Sequence, residues 1–309
     1  MNDRPLAPNE KIGPYVLRRK LGEGAIGVVW LAVDPKLRRE VAVKLLQKEY
    51  ARNERMVGRF LREAQSAAKL NHPNTVAIYQ AGEYAGAVFI IMEWVDGGNL
   101  QDYLDAHGRM PWLEATRVTR DAAAGLMAAH EVGLIHRDIK PSNLMRTSRG
   151  VIKVVDFGLA RSFDQRSDIT MQGAVVGTPA YMSPEQCAGK DLDARSDLYS
   201  LLCTYFHLLS GQTPYEFTDV GEVLYKQKHA PFPDVRLMVP GLLEAIGQIL
   251  ERGTRKAPAE RFQSAAELIT ELDSVLGMRP EPALEEPRVS EDAATVLSAR
   301  DTVASAPAA

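Results

Sequence analysis

The chain carries the stretch HRDIKPSN at residues 136–143 and the triplet DFG at residues 156–158, both between apolar, strand-like runs. They place two carboxylates, an ammonium and an amide in short order: Asp138, Lys140, Asn143 and Asp156. This set of groups suits the transfer of a phosphoryl group from a metal-bound nucleoside triphosphate to a hydroxyl. Asp138 would accept the proton of the hydroxyl, and Lys140 would neutralise charge on the transferred group. The amide and the second carboxylate would hold divalent ions.

A glycine-rich segment, GEGAIG at residues 22–27, lies between two strand-like runs nearer the N-terminus. Its glycines would let the backbone approach phosphates and present N–H groups to them. Taken alone, the segment is explained equally well as a glycine turn in a hairpin. The order of strand, loop and strand argues against a dinucleotide-binding fold, in which the loop leads into a helix.

Lys44 ends the apolar run VAVK at residues 41–44. Since the stem of a lysine inside an apolar strand would be buried, we predict that Lys44 reaches the phosphates and pairs with a carboxylate on the following helix. Glu63 has apolar neighbours on that helix and is the favoured partner. Glu54, at the solvent-facing start of the helix, is the alternative.

Composition restricts the class of protein. The chain has 309 residues, 45% of them hydrophobic, which is enough apolar mass for a sizeable core. Its net charge of −3 argues against a nucleic-acid-binding surface, which would need a basic excess. We expect Cys187 and Cys203 to be reduced thiols of a cytoplasmic protein. We also expect no signal peptide and no membrane segment, because no apolar run approaches ~20 residues.

Hydrophobic periodicity predicts that the N-terminal part of the chain is rich in strands and that the C-terminal part is mainly helical. Short apolar runs predict an antiparallel meander that contains one helix at residues 54–70. Its strands are expected near residues 15–17, 28–33, 41–45, 75–80 and 88–94. Asp96-Gly97-Gly98 would be a hinge, and the chain beyond it is expected to be mainly helical, at residues 99–107, 113–132, 194–210, 219–229, 241–252 and 264–276. Residues 1–11 would be a flexible leader, and residues 278–309, rich in Pro, Ala and Glu, a disordered tail.

In their order along the chain, these motifs resemble those of the protein kinases, specifically the bacterial serine/threonine kinases of the eukaryotic (Hanks) type. The resemblance covers residues 12–277. It includes the tripeptides Gly177-Thr178-Pro179 and Ser183-Pro184-Glu185 (SPE). It implies an α+β, bilobal, protein kinase-like fold. The N-lobe, residues 12–95, would be a small antiparallel sheet plus one helix, and the C-lobe, residues 96–277, would be larger and mainly helical.

The resemblance implies transfer of the γ-phosphoryl group of ATP to Ser/Thr hydroxyls of proteins, with Mg²⁺ or Mn²⁺ as the metal. Asp138, Lys140 and Asn143 would be the catalytic residues. Asn143 and Asp156 would be the metal ligands. ATP binding would involve Leu21, Gly22, Gly24, Gly27, Val29, Ala42, Lys44, Glu63, Met92, Glu93, Val95, Met145 and Asp156.

The resemblance also implies structural roles. His136 and Phe157 would pack in the core, and Asp197 would anchor the backbone of residues 136–143. Glu185 and Arg261 would form a buried ion pair.

The residues between the DFG triplet and the SPE triplet form a long polar segment, of the kind that is usually functional beside an active site. Thr170 is the expected regulatory phosphorylation site there, and two copies of the chain could associate as a homodimer for autophosphorylation. The alternative reading is a pseudokinase scaffold that binds nucleotide without turnover. Retention of Lys44, Asp138, Asn143 and Asp156 argues against it.

Overall fold

Six strands in the N-terminal part carry the β-branched and apolar residues typical of a half-buried sheet. They are β1 (Lys11–Ile12), β2 (Tyr15–Glu23), β3 (Gly27–Asp34), β4 (Arg39–Leu46), β5 (Ile78–Tyr84) and β6 (Ala87–Glu93). All neighbours are antiparallel, in the order β1-β2-β3-β4-β6-β5. The structure is a computed structural model that describes residues 6–24, 26–157, 179–216 and 219–278.

The central strand β4 places side chains alternately on the two faces of the sheet. Val41, Val43 and Leu45 belong to the hydrophobic core on one face. Ala42 and Lys44 therefore lie on the opposite face, and both are buried, at 5% and 6% exposure. The strand thus carries a lysine on the same buried face as a small apolar residue.

Two helices follow β4: α1 (Lys48–Ala51) and α2 (Glu54–Ala67). Asn53 caps α2, because its side chain accepts hydrogen bonds from the backbone N–H groups of Arg55 and Met56. The buried residues of α2 recur at helical spacing. Phe60 and Ala64 pack in a cluster with residues of the sheet, and Ala67 belongs to the main core of the helical part.

The segment that leads into β5 differs from the expected strand at residues 75–80. Val76 N–H donates to the Val154 carbonyl at 3.1 Å, and Val154 N–H donates to the Asn74 carbonyl at 2.9 Å. These residues therefore pair with a strand of the C-terminal part, and β5 begins only at Ile78. An apolar run cannot by itself indicate which strand will accept its hydrogen bonds.

The C-terminal part is mainly helical around a short hairpin, as expected. Its strands are β7 (Leu144–Arg146) and β8 (Ile152–Val154). Its helices are α3 (Leu100–His107), α4 (Trp112–Glu131), α5 (Pro184–Cys187), α6 (Ala194–Ser210), α7 (Val220–His229), α8 (Glu244–Gly253) and α9 (Ala265–Gly277). Helix α6 is buried from Ser196 to Leu209 and contributes to the main hydrophobic core together with α4, α8 and α9. The expected α+β architecture is confirmed.

The expected hinge lies against β7. Arg146 N–H donates to the Gly98 carbonyl at 2.9 Å. A Cβ atom on Gly97 would lie 2.3 Å from the Arg146 carbonyl oxygen, and Gly98 has φ +82°. Glycine is therefore required at both positions, the first for close approach and the second for its backbone conformation.

The N-terminal segment differs from the expected flexible leader over its described residues. Leu6 packs against the core of the sheet. Asn9 N–H donates to the Leu17 carbonyl, and Leu17 N–H donates to the Glu10 carbonyl, both at 2.8 Å. Apolar contact and strand pairing therefore hold residues 6–11. Of the expected tail, all residues after Met278 lie outside the described chain.

Candidate active site

Asp138, Lys140 and Asn143 meet at one carboxylate. Lys140 Nζ lies 2.8 Å from Asp138 Oδ2. The Asn143 side-chain amide donates to the same oxygen at 3.1 Å and to the Asp138 carbonyl at 2.7 Å. The side chains of Asp138 and Lys140 are 23% and 20% exposed, so the carboxylate is both held in place and open to solvent.

Asp197, in the first turn of α6, holds the backbone that leads into Asp138. Its buried carboxylate accepts hydrogen bonds from the N–H groups of His136, at 2.8 Å, and Arg137, at 2.7 Å. The ring of His130 donates to it as well, at 2.8 Å. The anchoring role expected for Asp197 is confirmed. A carboxylate with several donors can hold this loop because charge-assisted hydrogen bonds are stronger than neutral ones.

His136 joins this loop to the DFG segment. Its Nε2 donates to the Val155 carbonyl at 2.8 Å, and its Nδ1 accepts from Asp138 N–H at 3.2 Å. The imidazole also meets the Phe157 ring edge-on, with 4.8 Å between the ring centroids. His136 is fully buried, so its contribution is structural, as the sequence indicates.

Lys44 and Asp156 form an ion pair between the sheet and the DFG segment, with 2.8 Å between Nζ and Oδ1. Burial raises the pKa of the Asp156 carboxyl, but the Lys44 ammonium and its hydrogen bond more than offset this, so the pKa lies below its ordinary value. His136 and Lys140 act in the same direction as Lys44. Asp156 is therefore a carboxylate at neutral pH.

The expected ion pair of Lys44 with Glu63 is wrong for this structure, because the ammonium lies against Asp156 instead. Glu63 is half-buried and has an interaction of its own. The buried stripe of α2 that turns inward consists of Phe60, Ala64 and Ala67. Since successive helical residues are about 100° apart, Glu63 lies at the edge of that stripe.

Two side-chain oxygens in this region are suited to a divalent metal. The Asn143 amide nitrogen is bound to Asp138, and Asp156 Oδ1 is bound to Lys44. Within residues that the structure describes, Asn143 Oδ1 and Asp156 Oδ2 have no hydrogen-bond donor. Val155 N–H donates to the Asn143 carbonyl at 3.0 Å, which ties the two segments together. Amide and carboxylate oxygens are the ligands that Mg²⁺ prefers, so the donor set fits.

The glycine-rich segment forms the turn of the β2–β3 hairpin. Gly22 pairs with Val29 across the strands, and Gly24 N–H donates to the Gly27 carbonyl at 2.9 Å. A Cβ atom on Gly27 would lie 2.5 Å from the Leu45 carbonyl oxygen, so only glycine fits there. The exposed glycines, Gly22 and Gly24, leave backbone accessible on the edge of the hairpin.

The apolar residues expected around adenine share one face of the sheet. Val29 lies opposite Lys44, and Ala42 lies opposite Met92, so their side chains are on the side of the sheet that carries the Lys44 ammonium. Leu21 is half-buried in the neighbouring strand β2.

The lower part of the same region comes from the helical half. Met92 and Met145 pack against a cluster of three buried valines, Val76, Val95 and Val155. The structure therefore brings together Met92, Val95 and Met145, three of the residues that the family resemblance assigns to ATP binding. Val95 is 4% exposed, and its N–H makes no hydrogen bond to another described residue.

Glu93 is placed differently from the other residues of the connecting strand. Its N–H donates to the Ala77 carbonyl at 2.8 Å, so that group is already engaged. Its carboxylate accepts from Ala77 N–H at 3.2 Å and lies 2.9 Å from Lys153 Nζ. The side chain of Glu93 therefore fixes the segment before Val95, a role that sequence reasoning missed.

Glu185 and Arg261 form the expected buried ion pair, which is confirmed. Two guanidinium nitrogens each lie 2.8 Å from a different carboxylate oxygen, and Ser196 Oγ donates to Glu185 at 2.7 Å. Burial raises the pKa of Glu185, but the hydrogen bonds from Arg261 and Ser196 hold it below its ordinary value. The pair joins α5 to the segment before α9.

A polar network that sequence reasoning missed supports the turn at residues 179–181. The fully buried Gln227 donates to the Ala180 carbonyl at 2.7 Å and accepts from Tyr199 Oη at 2.6 Å. Lys256 donates to the Gln227 carbonyl at 2.9 Å, and burial lowers the pKa of Lys256 to about 8. Only the tertiary contacts distinguish these polar residues from surface ones.

The expected phosphorylation site Thr170 lies in the stretch of residues 158–178, outside the described residues. Gly158 of the DFG triplet belongs to the same stretch. Along the described segments, no helix combines the length and the apolarity that crossing a membrane would require.

The family of the protein kinase domain matches residues 15–270 of the chain. The serine/threonine-protein kinase PknB of Mycobacterium leprae is 39% identical over 284 residues, which are 90% of this chain and 45% of that protein. PknJ of Mycobacterium bovis is 42% identical over 260 residues, covering 82% of this chain and 44% of PknJ. The chain thus spans about half the length of the curated relatives it matches.

Solved structures lead to the same group of proteins. The crystal structure of the Mycobacterium tuberculosis PknI kinase domain superimposes with a TM-score of 0.70 at 29% identity. The superposition covers 88% of this chain and 99% of that domain.

Proposed function

Because the chain belongs to the protein kinase domain family, in its bacterial serine/threonine branch, we propose that it transfers the γ-phosphoryl group of ATP to Ser/Thr hydroxyls of proteins. The observation that carries the proposal is the convergence of Lys140 and Asn143 on the open carboxylate of Asp138, at 2.8 and 3.1 Å. Phosphoryl transfer requires little covalent chemistry from a protein. It requires mainly positioning of the reactants and electrostatic stabilisation, which such a prepositioned set of polar groups supplies.

In this proposal, Asp138 is the base. An acceptor hydroxyl hydrogen-bonds to its carboxylate and gives its proton to it as the new oxygen–phosphorus bond forms, while the bond from the γ-phosphorus to the oxygen bridging to the β-phosphate breaks and ADP leaves. The Lys140 ammonium, beside that carboxylate, stabilises the negative charge of the transferred group. The Asn143 amide keeps the carboxylate turned toward the acceptor, because it donates to both the side chain and the backbone of Asp138.

We propose Mg²⁺ as the metal, and Mn²⁺ accepts the same oxygen ligands. When bound, the ion neutralises charge on the phosphates of ATP. Asn143 and Asp156 would hold it through the side-chain oxygens that carry no hydrogen bond. The low pKa of Asp156 supports this role, since a carboxylate is the ligand form at neutral pH. Lys44, which now neutralises Asp156, provides a buried cation for the phosphates.

For ATP, the apolar residues Val29, Ala42 and Met145 would enclose the adenine, and Met92 would lie at the back of the pocket. The backbone of Val95 offers an N–H group to the edge of the base. The hairpin turn with Gly22 and Gly24 would cover the phosphates. These assignments rest on the shared sheet face and on the valine cluster against which both methionines pack.

The metal assignment is tested by replacing Asp156 with Asn. We expect wild-type protein to incorporate label from [γ-³²P]ATP into a protein substrate only when Mg²⁺ is added. Asp156→Asn should raise the Mg²⁺ concentration for half-maximal rate by more than ~10-fold, because even indirect losses around a metal cost that much. Asp273→Asn, which removes an exposed carboxylate that pairs with Arg120, should leave the requirement unchanged. Absence of Mg²⁺-dependent labelling in the wild type would mean that the proposed function is wrong.

Regulation is proposed through Thr170, phosphorylated by a second copy of the chain. Phosphate on a loop residue adds charge that can pair with an arginine, and Arg137 lies next to Asp138 in the sequence. We expect Thr170→Ala to lose most of the kinase activity, measured on protein that was first incubated with ATP. Catalytically inactive Asp138→Asn protein should accept label from wild-type protein. The double variant Asp138→Asn/Thr170→Ala should accept less label than Asp138→Asn does. Full activity of Thr170→Ala would contradict this regulation.

A further inference from the structure

Gln186, in α5, links three segments through one side-chain amide. Its Nε2 donates to the Arg137 carbonyl at 2.7 Å. Its Oε1 accepts from Ser183 N–H at 2.9 Å and from Ser200 Oγ at 3.5 Å. The Gln186 N–H in turn donates to Ser183 Oγ at 3.3 Å, which completes a capping box. The residue therefore joins the start of α5, the buried helix α6 and the loop that carries Asp138.

The orientation of this amide is determined by its partners. The Arg137 carbonyl can only accept a hydrogen bond, and Ser183 N–H can only donate one. The amide must therefore point its NH₂ group at Arg137 and its oxygen at Ser183. A side chain with donors alone, or with acceptors alone, could not satisfy both neighbours.

The bond to Arg137 acts on the peptide that immediately precedes Asp138. Arg137 has φ +72°, a left-handed conformation that is unfavourable for a residue with a side chain. Such a conformation persists only where surrounding contacts determine it. Asp197 holds the Arg137 N–H at 2.7 Å, and Gln186 holds its carbonyl, so both backbone polar groups are fixed from outside the loop.

We propose that Gln186 is a positioning residue for phosphotransfer. Through the Arg137 carbonyl it sets the direction of Asp138, and through Ser183 it couples that direction to the segment at residues 179–186. This inference rests on the proposed function, because it takes Asp138 as the base. The S-x-x-Q pattern at residues 183–186 predicts a helix start, but it does not indicate the bond to Arg137.

Two substitutions test the proposal. Gln186→Met keeps the size of the side chain and removes both polar ends. We expect kcat to fall by about 10- to 100-fold, because small misplacements of a catalytic group cost this much. The KM for ATP and the affinity for a fluorescent nucleotide should stay within about twofold, since Gln186 contacts none of the candidate ATP residues.

Gln186→Glu is the more specific test, because its carboxyl group can donate to the Arg137 carbonyl only when protonated. We expect kcat at pH 8 to fall as in Gln186→Met. The ratio of variant to wild-type kcat should then rise only as the pH approaches ~4.3, the ordinary pKa of a glutamic acid, so the comparison extends from pH 8 down to about pH 5. The ratio for Gln186→Met should not change with pH.

Gln263→Glu is the matched control. Gln263 is exposed, and its amide also donates to a backbone carbonyl, that of Arg261, at 2.7 Å. The same change of amide to carboxylate should leave kcat unchanged at every pH. Wild-type protein that transfers no phosphate would disprove the proposed function itself. Active wild type with Gln186→Glu at full kcat at pH 8 would overturn only the role of Gln186, even if Gln186→Met fails to fold.

Discussion

Asp138→Asn is expected to lower kcat by ~10²- to 10⁴-fold, the range that a positioned general base contributes. The asparagine can still accept the hydrogen bond from Asn143, so the loop should keep its shape. It cannot accept the proton of the acceptor hydroxyl, and it removes the negative charge that Lys140 faces at 2.8 Å. The measurement is steady-state transfer from ATP to a protein substrate, with the melting temperature determined in parallel.

Nucleotide binding separates this loss from unfolding. Lys44, Met92 and Met145 do not contact Asp138 in any recorded interaction, so the Kd for a fluorescent nucleotide should stay close to that of the wild type. The surface variant Asp273→Asn controls for loss of one negative charge. Retention of more than a tenth of the wild-type kcat by Asp138→Asn would contradict the assignment of Asp138 as the base.

Arg261→Met is expected to produce the largest loss of stability, about 3–5 kcal/mol in the free energy of unfolding. The substitution leaves the Glu185 carboxylate buried without its cation, although the Ser196 hydroxyl still donates to it. It also removes the donors to the carbonyls of Arg255, at 2.6 Å, and Lys256, at 2.9 Å. For a domain of this size, such a loss corresponds to a melting temperature lower by roughly 10 °C.

The matched control is Arg120→Met, which breaks an exposed ion pair with Asp273 at 3.1 Å and should cost at most about 1 kcal/mol. The double variant with Glu185→Gln should lose less than the sum of the two single variants, because the partners interact directly. Equal losses from Arg261→Met and Arg120→Met would show that the buried pair contributes nothing special.

The loss of stability caused by Arg261→Met should also depend on pH. The pKa of Glu185 in the folded protein lies below its ordinary value, so its contribution to stability is fully present above pH ~4.3 and is lost as the pH falls through the folded pKa. In Arg261→Met, burial without the guanidinium would raise that pKa instead. The difference in stability between wild type and variant should therefore shrink toward acid pH. Urea unfolding at pH 7 and pH 4 would measure it.

The sequence pattern was sufficient to predict those features that are determined by residues close together in the chain. The helical spacing of Phe60, Ala64 and Ala67 predicts α2, since only one face of that helix is apolar. The HRDIKPSN stretch predicts that Asp138, Lys140 and Asn143 meet, because residues two and five positions apart on a tight loop cannot be far from each other. The strand positions of Val41 and Val43 follow from alternation in the same way.

Partners separated by long stretches of chain could not be obtained from spacing. Lys44 lies 112 residues before Asp156, and the packing of the sheet against the DFG segment brings the ammonium to this carboxylate. Gln186 lies 49 residues after Arg137, and nothing in its neighbourhood in the sequence indicates a contact with that carbonyl. In both cases the choice depends on how separate elements pack.

By itself, then, the sequence determined which chemical groups this protein has, their order, and the local elements that carry them. The family resemblance added the ion pair of Glu185 with Arg261 and the anchor at Asp197. Only the tertiary structure decided which cation neutralises Asp156 and which amide holds the peptide before Asp138. The physical reason is that hydrogen bonds and ion pairs act over about 3 Å, a distance set by the packing of helices and strands rather than by separation along the chain.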